Sequence, residues 1–277
     1  MTAPVLDHVV LDVHDRMDAA VQTYQRLGFH MTERGFHTLG SINHLAIFAT
    51  DYLELLGWDP AKPGRAELAG FAPGLNGLVF KTDSADATQA TMQAAGVPVQ
   101  AAQSFSRPVR LGGAAHDAKF RTTHVDPAAV PFGRLYVCQH DTPELVWRTE
   151  WQDHPNGVRA IAGLLIAAED PGGLAGLFAR VFGTDTVSDI GGGAHRLGAS
   201  GVPIDIVPPA RATAELGADA PEPRGRPAWM AALRLRTASL ARAAQVLSGT
   251  ARRTDGGLRI PAAAACNVTL DFAERTG

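Results

Sequence analysis

Three residues break aliphatic runs with groups that can hold a metal or move a proton: His8 in LDHVVLDVHD (residues 6–15), Glu54 in DYLELLGW (51–58) and His140 in RLYVCQHD (134–141). Alternate residues of a strand face opposite sides. In the first run Val9, Leu11 and Val13 therefore share one face, and Leu6, His8, Val10 and Asp12 share the other. In the second, Leu53 and Leu55 oppose Tyr52 and Glu54; in the third, Leu135, Val137 and Gln139 oppose Tyr136, Cys138 and His140. If the aliphatic faces pack on helices, His8, Glu54 and His140 all look the other way. Two imidazoles and a carboxylate suit divalent iron, manganese, zinc or nickel and leave positions open for substrate oxygens. Each residue also has a plainer role. His8 could be a core histidine with a satisfied hydrogen bond. Glu54, costly to bury alone, could pair with an arginine, and His140 could cap the DTPE turn that follows it.

The elements that must position these residues form a repeat. After His8, the stretch from Arg16 to Leu27 reads as an amphipathic helix closed by Gly28. From Leu75 to Val99 the same order returns without a gap, with Asp83 on Asp15 and Gly96 on Gly28. Each copy is a short apolar strand, an acidic or hydroxyl cap, a helix, a glycine and another strand. A third copy puts Asp170 and Gly183 in those places, and a weaker fourth runs from Trp229 to Gly249. Met31–Gly35, Ile42–Ala49 and Tyr52–Trp58 have strand character, so the unit is strand, helix, then about three strands. Residues 59–74 and 100–118, rich in Pro, Gly and Ala, read as loops. Four units make two pairs, giving domains over 1–150 and 157–277 with Thr149–Val158 as linker, where Pro155 and Asn156-Gly157 interrupt the chain. The expected fold class is α+β: tandem βαβββ units, each pair curling into a half-barrel cup around a ligand cavity.

This pattern resembles the vicinal oxygen chelate superfamily, which contains glyoxalase I, extradiol dioxygenases and fosfomycin- and bleomycin-resistance proteins. The glyoxalase-like branch matches best. The resemblance is carried by LDHVVLDVHD, by FHTLGSINHLAIF with DYLELLGW (residues 36–58), by FSRP (105–108), and by VCQHDTPELVW with HPNG. It spans residues 5 to about 160, and the weaker repeat logic carries it further. It implies two half-barrel modules, with a divalent metal in the first held by His8, Glu54 and His140. Such a metal binds adjacent substrate oxygens and stabilises an enediolate-like or oxyanionic intermediate. Glu54 would double as catalytic base if it leaves the metal during turnover, and Tyr52, Asn43, Arg107 and His37 would contact the substrate. Lyase or isomerase chemistry is favoured over ring-cleaving oxygenation. One departure stands out. The position that repeats His8 is Asn76, a poor ligand, then Gly163, then Trp229 or Met230. The second half is therefore expected to be a degenerate, structural or dimer-forming copy.

That departure supports a rival of another class, a metal-free protein that sequesters a drug or metabolite as bleomycin-resistance proteins do. A third reading makes both halves structural, acting by dimerisation. Arg107 and Arg121 could each clasp a carboxylate or phosphate, against the commoner fate of a surface ion pair. Hydrophobic residues at 45% and charged residues at 19% describe a folded globular chain. A net charge of −3 offers no footprint for nucleic acid or an acidic membrane. MTAPVLDHVV has no signal-peptide pattern, and Ile161–Ala168 is too short to cross a bilayer. Cys138 and Cys266 make neither a disulfide framework nor a CxxC pair. A cytoplasmic setting and a small-molecule substrate are expected, with no nucleic acid or membrane partner. Cups completed within one chain and a symmetric homodimer both remain open.

Overall fold

The computed structural model describes residues 3–61 and 66–274, and it lays the repeat out as two eight-stranded sheets. The first contains β1 (Leu6–His14), β2 (Gly35–Phe36), β3 (Ile42–Ile47), β4 (Tyr52–Gly57), β5 (Gly74–Lys81), β6 (Gln103–Leu111), β7 (Ala114–His124) and β8 (Arg134–His140). Helices α1 (Met17–Arg26) and α2 (Ala85–Ala94) cover it. Its order is β2-β3-β4-β1-β5-β8-β7-β6. In each unit the last strand returns parallel to the first, β4 on β1 and β8 on β5, and an antiparallel β1–β5 pair joins the two units. The second sheet uses β9 (Val158–Ala168), β10 (Val187–Gly191), β11 (Ala194–Ala199), β12 (Val202–Val207), β13 (Ala228–Thr237), β14 (Arg252–Thr254), β15 (Gly257–Ile260) and β16 (Thr269–Ala273). It carries α3 (Pro171–Phe182), α4 (Pro209–Leu216) and α5 (Leu240–Val246), and repeats the topology as β10-β11-β12-β9-β13-β16-β15-β14. The fold is thus α+β, four βαβββ units in two half-barrel modules.

The side-chain alternation sorts as the strands require. Val9, Leu11, Val13, Leu53, Leu55, Leu135 and Val137 join the helix-side core, whereas Val10, Tyr52, Tyr136 and Cys138 belong to a separate cluster inside the cup. The helix-side core runs through both modules, with ring contacts such as Phe80–Phe182 at 4.4 Å and Phe29–Phe272 at 6.2 Å. Hydroxyl or acidic caps hold three helices: Ser84 accepts from the Ala87 amide, Asp170 from Gly173 and Ser239 from Arg242. Helix α1 starts at Arg16 without a side-chain cap. Gly28, at φ +76°, ends α1 at the seam, where a Cβ would lie 2.5 Å from Val246 Cγ1.

Four expectations need correction. Leu6 lies in the helix-side core rather than beside His8, because the β1–β5 register slips between Leu6 and His8 and reverses the alternation. Of Met31–Gly35, only Gly35 enters a ladder, pairing with Asn43. Most of the 100–118 stretch, expected as a loop, belongs to the β6–β7 hairpin, which turns at Gly112 and Gly113, both at positive φ. Pro108 does not interrupt β6, since β6 is an edge strand and one side of it needs no donor. Helix α4 interrupts the fourfold pattern between β12 and β13. In the 59–74 stretch, residues 62–65 lie outside the described residues, and Ala66–Gly70 is a 3-10 turn.

Candidate functional site

The edges of the first sheet approach each other. The Thr38 amide donates to Ser106 O at 2.9 Å, and the Ser106 amide donates to Thr38 Oγ1 at 3.2 Å. This contact nearly closes the sheet into a barrel around a cavity of about 280 Å³. The volume sits near the small end of the roughly 300–1,000 Å³ typical of small-molecule pockets. His8, His37, Asn43, Tyr52, Glu54 and Arg107 all line it. His140 does not appear on its wall.

Strand β1 brings His8 beside β4, so that His8 pairs with Tyr52 and Val10 with Glu54. Tyr52 stacks on the His8 ring at 4.3 Å, and burial pushes its phenol well above the usual range. His8 Nδ1 meets Asp7 Oδ1 at 2.5 Å, while His8 Nε2 lies 3.3 Å from the Tyr136 hydroxyl and 3.6 Å from Glu54 Oε2. With Nδ1 turned to Asp7, Nε2 is the ring nitrogen that faces Tyr136 and Glu54. Asn43 Nδ2 donates to Glu54 Oε1 at 2.6 Å and lies 3.2 Å from His37 Nε2, while His37 Nδ1 meets Ser41 Oγ at 2.7 Å. Glu54 is 6% exposed and has no arginine partner among the described residues.

The two arginines weighed from sequence part company. Arg121 is solvated and grips Asp86 through Nε at 2.8 Å and Nη2 at 2.7 Å. Arg107, on β6, is 4% exposed and forms no ion pair among the described residues, and its Nη2 is buried without a hydrogen-bond partner. Its room comes from Gly35, where a Cβ would stand 2.2 Å from Asn43 Oδ1 and 3.1 Å from Arg107 Cδ.

His140 shares the parity of Tyr136 and Cys138 but packs under Trp147 and Phe120, at ring distances of 4.7 and 5.1 Å. Its Nε2 lies 3.0 Å from Asp7 Oδ2. Asp7, fully buried, therefore stands between His8 and His140. Burial alone would raise its carboxyl, but the hydrogen bonds and charge of His140 and His8 outweigh burial and hold it well below the usual carboxylate range. The structure brings His8 and Glu54 together and joins His140 to His8 only through Asp7. Among the described residues, the trio whose ligand atoms all fall within 4.8 Å of one another is Asp7, Cys138 and His140. Cys138 lines the cavity while Asp7 and His140 do not, and burial pushes the Cys138 thiol well up. Sequence reasoning passed over Asp7. An acidic residue inside an apolar run, next to His8, was the available signal, and strand parity could not orient it because of the bulge.

Asn76 explains itself here. Its amide oxygen takes Arg134 Nη2 at 2.7 Å, and Asp12 lies 3.6 Å from the same guanidinium nitrogen. Of the remaining histidines, His124 lines the cavity and stacks on Tyr136 at 4.1 Å. His154 is fully buried at the seam, accepting from the His30 amide at 3.0 Å and meeting Ile47 O at 2.8 Å.

Solved structures share this fold along the whole chain. A hypothetical protein from Staphylococcus aureus superposes with TM-score 0.65 at 11% identity, covering 97% of this chain and 99% of its own. A fusion of a xylose isomerase-like TIM barrel with 4-hydroxyphenylpyruvate dioxygenase gives 0.59 at 13% identity, over 99% of this chain and 49% of its own. A variant of 4-hydroxymandelate synthase from Streptomyces coelicolor gives 0.55 at 13% identity, over 100% and 94%. At such identities the likeness is one of fold. No curated protein matches in sequence. No helix among the described residues is long and apolar enough to cross a membrane. The sequence pattern of the glyoxalase-like domain matches residues 6–182, well over half of the chain, and with the paired half-barrels this places the protein in the glyoxalase-like domain family of the vicinal oxygen chelate superfamily.

Proposed function

We propose that the first cup carries out a metal-assisted proton transfer on a small oxygen-rich molecule, a lyase or isomerase reaction, with Glu54 as base. The observation behind this reading is the buried Glu54 carboxylate on the cavity wall, 3.6 Å from an imidazole whose other nitrogen is held by Asp7. The donors suit a divalent ion such as iron, manganese, zinc or nickel. Two ligand atoms each about 2.1 Å from one ion stand at most about 4.2 Å apart, and His8 Nε2 and Glu54 Oε2 meet that bound. A carboxylate behind a histidine is also the usual support of a metal-binding tautomer.

In this reading His8 and Glu54 would hold the ion, with His140 steadying His8 through Asp7. When bound, the ion polarises substrate oxygens and makes a neighbouring C–H more acidic. Asn43 aims the Glu54 carboxylate through Oε1. Glu54, once released from the ion during turnover, takes a proton from a substrate carbon; it returns it to a neighbouring carbon in an isomerisation, or keeps it while a leaving group departs in a lyase reaction. Tyr52, stacked on His8, excludes water from one side of the ring.

Protein purified without chelator is expected to carry a divalent ion, which His8→Ala and Glu54→Gln lose while keeping their circular dichroism. Wild-type protein that neither holds an ion nor takes up iron, manganese, zinc or nickel overturns the reading. Such a result favours the metal-free binder, whose support is Asn76, committed to Arg134 where a further ligand would stand.

A further inference from the structure

We infer that the molecule taken by the first cup is an organic monocarboxylate with a flat apolar body, seated on Arg107. The inference adds a substrate class to the proposed function and rests on that reading for the location of the site.

Three arginines are buried among the described residues: Arg107, Arg134 and Arg259. Two have protein partners. Arg134 donates to Asn76 and faces Asp12, and Arg259 grips Asp271 through Nε at 2.6 Å and Nη2 at 2.8 Å. Arg107 is the exception. It is the most buried of the three, makes no ion pair among the described residues, and leaves Nη2 without a hydrogen-bond partner in the wall of the cavity. Guanidinium keeps its charge inside proteins, and a desolvated charge left unpaired is costly. A ligand anion removes that cost, and the planar fork matches a carboxylate.

The surroundings narrow the class. Glu54 lines the same cavity, and the second guanidinium on its wall, Arg134, is engaged by Asn76 and Asp12, so a dianion would meet a carboxylate as well as the single unpaired guanidinium. A monoanion balances Arg107 alone. Around it, Phe105 and Phe120 lie stacked at 5.2 Å and 22°, with Leu45 and Leu56 on the same wall. That surface suits a planar or short aliphatic body rather than a sugar. A carboxylate held by Arg107 keeps its adjacent carbon inside the small cavity that Glu54 also faces, which is where a proton-transfer base needs it.

Calorimetric titration of the full chain with phenylacetate, phenylacetamide and benzylphosphonate tests the inference. Wild type is expected to bind phenylacetate about 10- to 100-fold more tightly than the isosteric amide, as for loss of a charge-assisted hydrogen bond, and more tightly than the phosphonate. Arg107→Gln abolishes the preference for the acid, Arg107→Lys keeps part of it, and the exposed Arg121→Gln leaves it intact. Equal binding of acid and amide, tighter binding of the phosphonate, no binding of any probe, or a preference that survives Arg107→Gln overturns the inference. The preference is also expected to survive Glu54→Gln, which removes the base and an ion ligand. Failure of the metal-assisted proton transfer is thereby distinguishable from failure of carboxylate recognition.

Discussion

The two cups share a strand order yet differ in content. The first encloses a cavity walled by His8, Glu54 and Arg107. The second has a helix packed into it. Helix α4 lays Ala212 and Leu216 against Leu165, Ala167, Val207 and Trp229, where a ligand would otherwise sit. Several of its charged residues also pair with one another. Arg196 Nε and Arg234 Nη1 reach Asp205 at 2.6 and 2.9 Å, and Arg234 Nη2 reaches Glu215 at 2.8 Å. The position that repeats His8 is Gly163, where even a Cβ would come within 3.1 Å of Pro203 O and 3.4 Å of Arg234 Cδ. An imidazole has no room there. A duplicated half-barrel can thus take a helix into one copy and keep a pocket with an unpaired buried arginine in the other. Unfilled hydrogen-bonding capacity, rather than the presence of polar residues, separates them.

The largest expected effect tests the second cup. Leu216→Ala should lower the unfolding free energy by about 2–5 kcal/mol in denaturant titrations, with metal content and the phenylacetate preference unchanged. If ligand binding fell instead, the cups would not be separable in this way.

The seam between the modules gives the next effect. Asp51 accepts the Ile161 amide at 2.9 Å, and burial raises its carboxyl to about 6. The protonated form is therefore favoured in the folded state, and the stability it contributes is present below about pH 4 and lost as pH rises through 6. His154 works the opposite way. Burial lowers it to about 4, so its contribution is present above its ordinary value of 6.5 and lost as pH falls toward 4. The two slopes offset each other in the wild type. Asp51→Asn, which retains an acceptor for Ile161, should be more stable than wild type above pH 6 by up to about 3 kcal/mol. It should also show a steeper rise in denaturation midpoint between pH 4 and 6.5. A profile parallel to wild type would mean that Asp51 ionises freely at the seam.

The smallest effect sharpens the open cup. Asp7→Asn removes the charge that holds His8 and His140, and should weaken divalent-ion affinity about 10- to 100-fold without unfolding the chain. Unchanged affinity in a metal titration would detach Asp7 from the site.

Much of the architecture was legible because it depends on local periodicity. The alternation in β1, β4 and β8 told helix side from cup side at Val9, Leu53 and Leu135, and it placed Glu54 and Tyr52 together. It failed at Leu6 and Asp7, where one extra residue in the ladder reverses parity without altering composition. The β6–β7 hairpin was missed because Arg107, followed by Pro108, interrupts the apolar face that Phe105, Val109 and Leu111 give β6, and register comes from pairing with β8. Helix α4 was missed because its apolar residues are few and only the cup beneath them gives them a face.

By itself the sequence determined the repeat, the module order and the side of each regular strand on which its polar residues lie, since these follow from spacing along one segment. Which polar groups are already satisfied was decided only by the tertiary structure. Arg107 and Arg121 stand on paired neighbouring strands; one meets a surface aspartate from α2, and the other faces a cavity closed by β2. His140 meets Asp7 across more than half the length of the first module. Partners of that kind come from distant segments. Charge balance and free hydrogen-bonding capacity are sums over such partners, so they exist only once the barrel has closed.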